Sequence, residues 1–400
     1  MKRPRRNGAF SIPFRVPGGP IFDGGRGGSA EAPVQRMGVP LYDVAVIGLG
    51  GMGSAVLAHC ARRGMRSIGY EQFTPGHNLG ASSGQSRMIR KAYYEHPSYV
   101  PLLLRAYDAW RELERASNTE LLHVTGLLMI GGEDSAVLRG AMQSASEYVL
   151  PVEYLNASQG RGRFPMFCIR EDEYAVYEAD GGYVVPEAAI QAHLGLALDA
   201  GAQMNYGRAV DLDRVLEKAS HVVVCAGPWL ESMGLGIPLE IERNVQHWFV
   251  PSGRQFSEGQ CPAFLIEREG FAHPLYGFPN HGQGVKAAFH GSGQVTHANA
   301  LDREVHDTDI EPVRAALDSV LPGAAIDYVG GKACMYALTP DRHFVISSHP
   351  REPRVMVAGG FSGHGFKFVP VVGEMVADLI AGERIPFDID FFSATRFLKG

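Results

Sequence analysis

The segment DVAVIGLGGMGSAVLAHCARRGMRSIGYE, residues 43 to 71, constrains this chain more than any other. Asp43 to Ile47 is a short apolar run ending in glycines, the pattern of a buried strand. Gly48, Gly50 and Gly53 follow with G-x-G-x-x-G spacing. Ser54 to Arg63 is a helix-length segment closed by Gly64, and Arg66 to Tyr70 reads as a second strand with Glu71 at its end. In such a unit the first glycine makes the tight turn, the second lets a pyrophosphate approach the backbone, and the third lets helix and strand pack closely. The helix N-terminus faces the phosphates with unpaired N–H groups and partial positive charge. Glu71 stands where an acid accepts hydrogen bonds from a ribose. Strand, turn, helix, strand and acid in this order predict a dinucleotide site; the alternative is a glycine-rich βαβ turn with no ligand. The motif alone does not choose between NAD(P) and FAD.

Four hundred residues exceed one simple core, so two intimately joined domains are expected. A hydrophobic content of 45% with 20% charged residues is that of a soluble globular protein. The net charge of −6 argues against nucleic acid as the main partner. Five scattered cysteines without C-x-x-C spacing point to reduced thiols in an intracellular, cytoplasmic protein. No apolar run reaches transmembrane length, so no membrane partner is expected. Residues 1–40 differ from the rest: a basic cluster of Lys2, Arg3, Arg5 and Arg6 precedes a Gly- and Pro-rich stretch with little periodicity. They read as a disordered leader. A nucleic-acid arm or targeting segment is the alternative, and a start at Met37 would dispense with them.

Further along, Tyr99 to Ala116 has helical spacing, as does Pro186 to Ala200, which Gly201 closes. Val124 to Gly131, Tyr174 to Val185 and His221 to Ala226 read as strands. Residues 242–291 read as strands with turns at Pro251-Ser252-Gly253 and Pro279-Asn280-His281-Gly282. A short helix is expected over Glu311 to Leu321, strands over His343 to Ser347 and Arg354 to Ala358, and a helix over Lys367 to Ala381. Parallel-type strands near 221 and 354 bracket a middle of antiparallel character. The expected class is therefore α/β (α+β): a discontinuous Rossmann-like nucleotide domain interleaved with an antiparallel-sheet substrate domain. The expected boundaries are 41–122, 180–234 and 330–396 for the first, and 123–179 with 235–329 for the second.

Three more stretches carry chemistry. In GGFSGHGFKF, residues 359–368, a strand runs into a glycine-rich turn and then a helix, where backbone N–H groups can approach a ligand. Lys367 falls in the first turn of that helix, an unfavourable place for a cation unless it meets an anion; an ordinary exposed lysine is the alternative. ACMYALTPDRHF, residues 333–344, holds Cys334, either a core cysteine or part of the same site. GASSGQSRMIRKAYYE, residues 80–95, holds Arg87, Arg90 and Lys91; arginine suits carboxylate or phosphate, and a solvated basic turn is the alternative. Histidines 273, 281, 290 and 297 lack metal-ligand spacing, so no metal is expected. Ser82, Ser83 and Ser86 beside His77 lack a G-x-S-x-G elbow, so no hydrolase is expected.

GLGGMG with Glu71, GQSRMIRKAY, CAGPW, YGFP followed by VKAAFH, CMYALTPD and GFSGHGFKF occur in one order. Together they resemble the flavin-dependent monomeric sarcosine oxidase family, which includes N-methyltryptophan oxidase and peroxisomal sarcosine/pipecolate oxidase within the D-amino-acid-oxidase-like fold. The resemblance covers about residues 41–396, and SSGQSR is nearer the pipecolate branch, although the chain closes on Phe397-Leu398-Lys399-Gly400 and not on a peroxisomal SKL. It implies FAD, held by Gly48, Gly50, Gly53, Glu71, Ser86, Arg87, Val210, Gly227, Gly363, Gly365 and Lys367 and joined covalently through the sulfur of Cys334. It implies that Arg90 and Lys367 bind a substrate carboxylate, that Tyr276 and His290 surround the substrate, and that Arg87 sits near the flavin. Lys286 corresponds to the lysine that promotes reaction with O2, where a fixed cation favours the anionic first product.

The implied function is oxidation of the C–N bond of a secondary, N-methyl or cyclic amino acid to an imine, with O2 reduced to H2O2, by a monomeric enzyme. Two alternatives stay open: a flavin dehydrogenase with a non-oxygen acceptor, and a flavin-binding protein that has lost turnover. Two departures from the family pattern bear on this. Ser82 and Ser83 stand where many relatives have histidine, which removes a polar contact at the flavin. The stretch from Tyr206 to His221 is too short for the further strand and hairpin found there in relatives, so Asp211 to Ala219 reads as helix or loop.

Overall fold

A computed structural model describes residues 40–291 and 293–398. The expected leader, Pro40 apart, lies outside the described residues. The strand Tyr42–Ile47 is interior to a six-stranded sheet. It pairs in parallel with Ser67–Glu71 on one side and Ala219–Val224 on the other. Gln203–Tyr206 extends the sheet beyond Ser67–Glu71, and Glu352–Gly359 beyond Ala219–Val224; the antiparallel Val345–His349 forms the other edge.

Parallel strands covered on both faces read as continuous apolar runs, which is why VAVI and HVVV carry no alternation. Successive side chains nonetheless go to opposite faces. Val44, Val46, Val223 and Ile346 join the core of the helices Gly51–Arg62, Val100–Ser117, Pro186–Asp199 and Val369–Ala381. Ala45, Ile47, Val222 and Val224 pack instead with Val215, Leu230, Leu235 and Ile237. The third glycine of the fingerprint is required by close approach: a Cβ on Gly53 would lie 1.7 Å from the carbonyl oxygen of Gly48.

The second sheet has nine strands. Its order is Gln294–Thr296, Glu240–Val250, Val285–Phe289, Leu275–Phe278, Ala263–Glu267, Leu127–Gly132, Glu173–Glu178 and Val152–Asn156, with Asp327–Leu338 also pairing along Glu240–Val250. The antiparallel expectation holds except where Ala263–Glu267 runs parallel to Leu127–Gly132. One core of this sheet gathers Phe249, Phe256 and Phe264 with Val313 and Leu317 of the helix Asp307–Val320. A three-stranded sheet, Arg87–Ile89, Gly182–Val184 and Leu122–Val124, stands beside them.

That small sheet explains two corrections. The strands expected over 124–131 and 174–185 are each broken, at Thr125-Gly126 and at residues 179–181. Here the first segment crosses from the small sheet to the large one and the second crosses back, and Gly126 N–H donates to Gly181 O at 2.9 Å. The helix expected from Lys367 begins at Val369, with Phe366–Phe368 as a 3-10 turn before it. The helix expected from Glu311 begins at Asp307, where His306 and Asp309 form a reciprocal capping arrangement. The helices Ala136–Tyr148 and Ala157–Arg163 and the strands Arg87–Ile89, Val152–Asn156, Gln203–Tyr206 and Gln294–Thr296 were not expected. The short segment after Tyr206 forms the helix Leu212–Leu216, capped by Asp211 with Val215 buried, and leads directly into Ala219–Val224. Among the described residues no helix is long and apolar enough to cross a membrane. The five cysteines are unpaired; Cys168 is exposed and the others are buried.

Candidate functional site

The glycine fingerprint opens onto a cavity of about 230 Å³. The helix Gly51–Arg62 starts beneath it with no capping side chain at Gly50 and no acid in its first turn, so its N-terminal N–H groups and dipole face the space. A Cβ on Gly50 would meet only Ser82 Oγ, at 3.6 Å, which leaves room for a ligand to touch the backbone. The Ser82 hydroxyl accepts a hydrogen bond from Gly51 N–H at 3.3 Å, so the serine presents polar atoms at this helix start. Glu71 is tied to the loop: its oxygens accept from Leu49 N–H at 2.9 Å and Phe73 N–H at 3.1 Å, and His77 Nε2 lies 3.5 Å away. Burial pushes the Glu71 carboxyl up, but His77 and those N–H groups outweigh it and hold it below its ordinary value.

Of the residues expected to hold a cofactor, Gly48, Gly50, Glu71, Arg87, Val210, Gly227, Gly363 and Gly365 line this cavity. Gly53 lies behind the wall, where it sets the helix–strand approach. An uncapped helix start, an open backbone at Gly50 and a carboxylate at the strand end fit the phosphate and ribose parts of a dinucleotide. The wall continues to Tyr336, Gly363 and Phe366, far along the chain from the fingerprint.

A smaller cavity, about 60 Å³, adjoins it; Arg87, Tyr336, Gly363 and Phe366 line both. Arg90, Glu95, Tyr276, His290 and Lys367 are also on the smaller wall. Arg90 is 3% exposed and Lys367 4%, so Lys367 is no ordinary surface lysine. One terminal nitrogen of Arg90 donates to both Glu95 oxygens at 2.7 Å, while its buried Nε has no partner. Lys367 Nζ donates to His364 O at 2.6 Å and to Tyr93 Oη at 3.4 Å. Burial and the nearby Arg90 cation bring the Lys367 ammonium down to about 7, although Glu95 opposes them. Burial pushes the Glu95 carboxyl up, but Arg90, His364 and Lys367 overcome it and hold the group at about 2. Burial holds His290 at about 4, so its ring is neutral at pH 7, and its Nδ1 lies 3.2 Å from Tyr336 Oη. Tyr276 is raised by burial to about 12 and remains a phenol.

Lys286, Ser86 and Cys334 line neither cavity. Lys286 is 0% exposed; its Nζ donates to Gly84 O at 2.6 Å, Ser86 O at 2.9 Å and Ser86 Oγ at 3.3 Å, and it lies over the rings of Trp248 and Phe278. Burial, then the cation of Arg87, pushes its ammonium well below the ordinary lysine value. The Cys334 sulfur accepts from Gln246 Nε2 at 3.2 Å, and Gln246, whose Oε1 is buried without a partner, lines the smaller cavity. Arg87 donates to the carbonyls of Ala81, Ser83 and Ser86, which holds the loop before it. Lys91, suspected as a solvated turn residue, is paired with Asp180 at 2.6 Å.

Sequence reasoning missed Glu95, Tyr93, Gln246 and Glu187. Glu95 was the most accessible of these, since a single acid five residues after Arg90 in a basic segment is a natural counter-ion. Gln246 carried no signal, because an interior amide on a strand resembles any other polar strand residue.

Comparison with known proteins adds an independent line. A family model described as FAD dependent oxidoreductase matches residues 43–379. Monomeric sarcosine oxidase from Streptomyces avermitilis is 41% identical over 378 residues, covering 89% of this chain and 98% of that protein. N-methyl-L-tryptophan oxidase from Yersinia pestis is 32% identical over 370 residues, covering 89% of this chain and 99% of that one. Among solved structures, glycine oxidase from Geobacillus kaustophilus superposes with a TM-score of 0.75 at 20% identity, covering 90% of this chain and 100% of its own, a likeness of fold.

Proposed function

Because the chain belongs to the FAD dependent oxidoreductase family, we propose that it oxidises the C–N bond of a small secondary amino acid, N-methyl or cyclic, to an imine, with O2 reduced to H2O2. The observation that carries this reading is the junction of the two cavities. A glycine-lined cradle suited to a dinucleotide meets a small chamber whose wall holds two buried cations, Arg90 and Lys367. When bound, FAD supplies the electron acceptor for the amine oxidation.

The chain's own residues do the rest. Lys367 and the guanidinium of Arg90, both on the wall of the smaller chamber, offer donors to a substrate carboxylate. Glu95 keeps Arg90 in place, so the chamber is not left with an excess of unpaired positive charge before an anion enters. Tyr276, Tyr336 and the neutral imidazole of His290 form walls that restrict the size of the amine side. Lys286, fixed by three oxygens, is the cation we assign to oxygen reduction. Cys334 is assigned as the point of covalent attachment; Gln246 Nε2 donates to its sulfur at 3.2 Å and so orients it. In this reading residues 41–122, 180–234 and 330–396 form the cofactor domain, which also lends Arg90 and Lys367 to the substrate chamber, and 123–179 with 235–329 form the substrate domain; the strand Asp327–Leu338, which crosses the boundary at 330, pairs along its length with Glu240–Val250 of the second sheet. The enzyme is assigned as a cytoplasmic monomer, which size-exclusion chromatography and cell fractionation check.

The deciding experiment is anaerobic bleaching of the flavin by a panel containing sarcosine, other N-methyl amino acids, proline and pipecolate. Bleaching by at least one of them is expected, followed by one H2O2 per turnover in air. No bleaching by any member would favour a flavin-binding protein without turnover, and bleaching without peroxide would favour another electron acceptor. Acid precipitation should leave the yellow colour in the pellet of the wild type and release it from Cys334→Ala.

A further inference from the structure

Lys286 is seated by a turn whose backbone is itself held in an uncommon conformation. Gly84 has φ +121° and Gln85 φ +67°, two successive residues on the positive side. The φ at position 84 favours glycine, and a Cβ there would also push on Gln246 Oε1 at 2.1 Å, while Gln85 adopts the left-handed region as a non-glycine residue. In this turn the two N–H groups converge on one side and make a concavity that takes an anion. Glu187 fills it: Gly84 N–H donates to Glu187 Oε1 at 2.7 Å, and Gln85 N–H to Oε1 at 3.2 Å and Oε2 at 3.1 Å. Opposite these donors, the carbonyls of Gly84 and Ser86 accept from the Lys286 ammonium.

Glu187 is well placed for this. It follows Pro186 in the first turn of the helix Pro186–Asp199, where a carboxylate is favoured by the helix dipole. Burial pushes its carboxyl up, but the N–H groups of Gly84, Glu187 itself and Gln85, with Arg87 nearby, outweigh burial and keep it ionised. A helix fixed on the parallel sheet is thereby connected, through one turn of main chain, to a lysine on the strand Val285–Phe289 of the other sheet.

We propose that Glu187 is a positioning residue that holds the Gly84–Ser86 turn so that its carbonyl oxygens seat the Lys286 ammonium. The consequence for oxygen chemistry rests on the role assigned to Lys286 above; the coupling between Glu187 and Lys286 does not. Two measurements therefore separate them. The first is reductive methylation of the holoenzyme by formaldehyde and a borane reductant, with Lys286 followed by peptide mass spectrometry. Lys286 should be protected in the wild type, labelled at least about tenfold faster in Glu187→Ala, and labelled at an intermediate rate in Glu187→Gln, which keeps one acceptor oxygen. Should Glu187→Ala not fold, the Glu187→Gln comparison, together with amide exchange at Gly84 and Gln85, carries the test. Unchanged protection of Lys286 in a folded Glu187 variant overturns the inference. The second measurement compares reoxidation by O2 with anaerobic reduction in the holoenzyme; a several-fold loss confined to reoxidation is expected. Faster labelling with unchanged reoxidation upholds the positioning role and removes Lys286 from oxygen chemistry instead.

Discussion

The two adjoining cavities are built from different materials. The larger one is a backbone site: its fingerprint side consists of glycines, a helix start and one carboxylate held by main-chain N–H groups. The smaller one is a side-chain site, in which Arg90, Glu95 and Lys367 are buried together and, beside burial itself, the Arg90 cation acts on the protonation of the other two. A backbone site is limited by space, since adding one carbon can close it. A side-chain site is limited by charge balance, since removing one member leaves another buried and unpaired.

The largest expected effect tests the first half of that contrast. Gly53→Ala places a carbon against the Gly48 carbonyl, so purified protein should retain less than about a tenth of the wild-type flavin absorbance. Gly162→Ala, at a helical glycine with no atom within 4 Å of the new carbon, should retain all of it. Full flavin content in Gly53→Ala would show that the cradle is less tightly built than its geometry implies.

Charge balance is broken next by Arg90→Met, which strands the Glu95 carboxylate. A loss of about 3–5 kcal/mol in unfolding free energy is expected. Adding Glu95→Gln should recover most of that stability without recovering affinity for an amino acid carboxylate. Recovery of both would mean that Arg90 serves structure alone. Lys286→Met should slow reoxidation by about 100-fold, with anaerobic reduction nearly unchanged; equal slowing of both half-reactions would count against the oxygen role.

The smallest effect concerns pH. Lys367 is a cation below about 7 and loses its proton as pH rises through that value. Binding of a simple carboxylate such as acetate to the holoenzyme, followed by flavin absorbance, should therefore be strongest below pH 7. It should weaken above it by up to about tenfold per pH unit. Lys367→Met should remove this dependence, and its persistence there would assign the titration to another group.

Much of the larger cavity was legible because glycine spacing is a local signal: the fingerprint, its helix and Glu71 all fall within residues 43–71. The motif around Gly363 to Lys367 was legible as a turn into a helix, although that helix starts two residues later than expected. The broken strands at 124–131 and 174–185 were not legible, because both halves of each favour extended structure and only pairing with different sheets separates them. Ser82 shows a related limit: its residue type gave no sign that the fold brings its hydroxyl to the start of the helix Gly51–Arg62.

By itself, then, the sequence determined the βαβ unit and its dinucleotide ligand class, because short-range spacing sets local backbone geometry. Only the tertiary structure decided which charges meet. Arg90 faces Glu95 and Lys367 at the wall of one small chamber, whereas Lys286 is turned toward the carbonyls that Glu187 holds in place. Partners as far apart in the chain as Gly84 and Lys286, or Tyr93 and Lys367, are chosen by how the elements pack, and burial then sets their protonation in a way that no residue's own neighbours in the chain record.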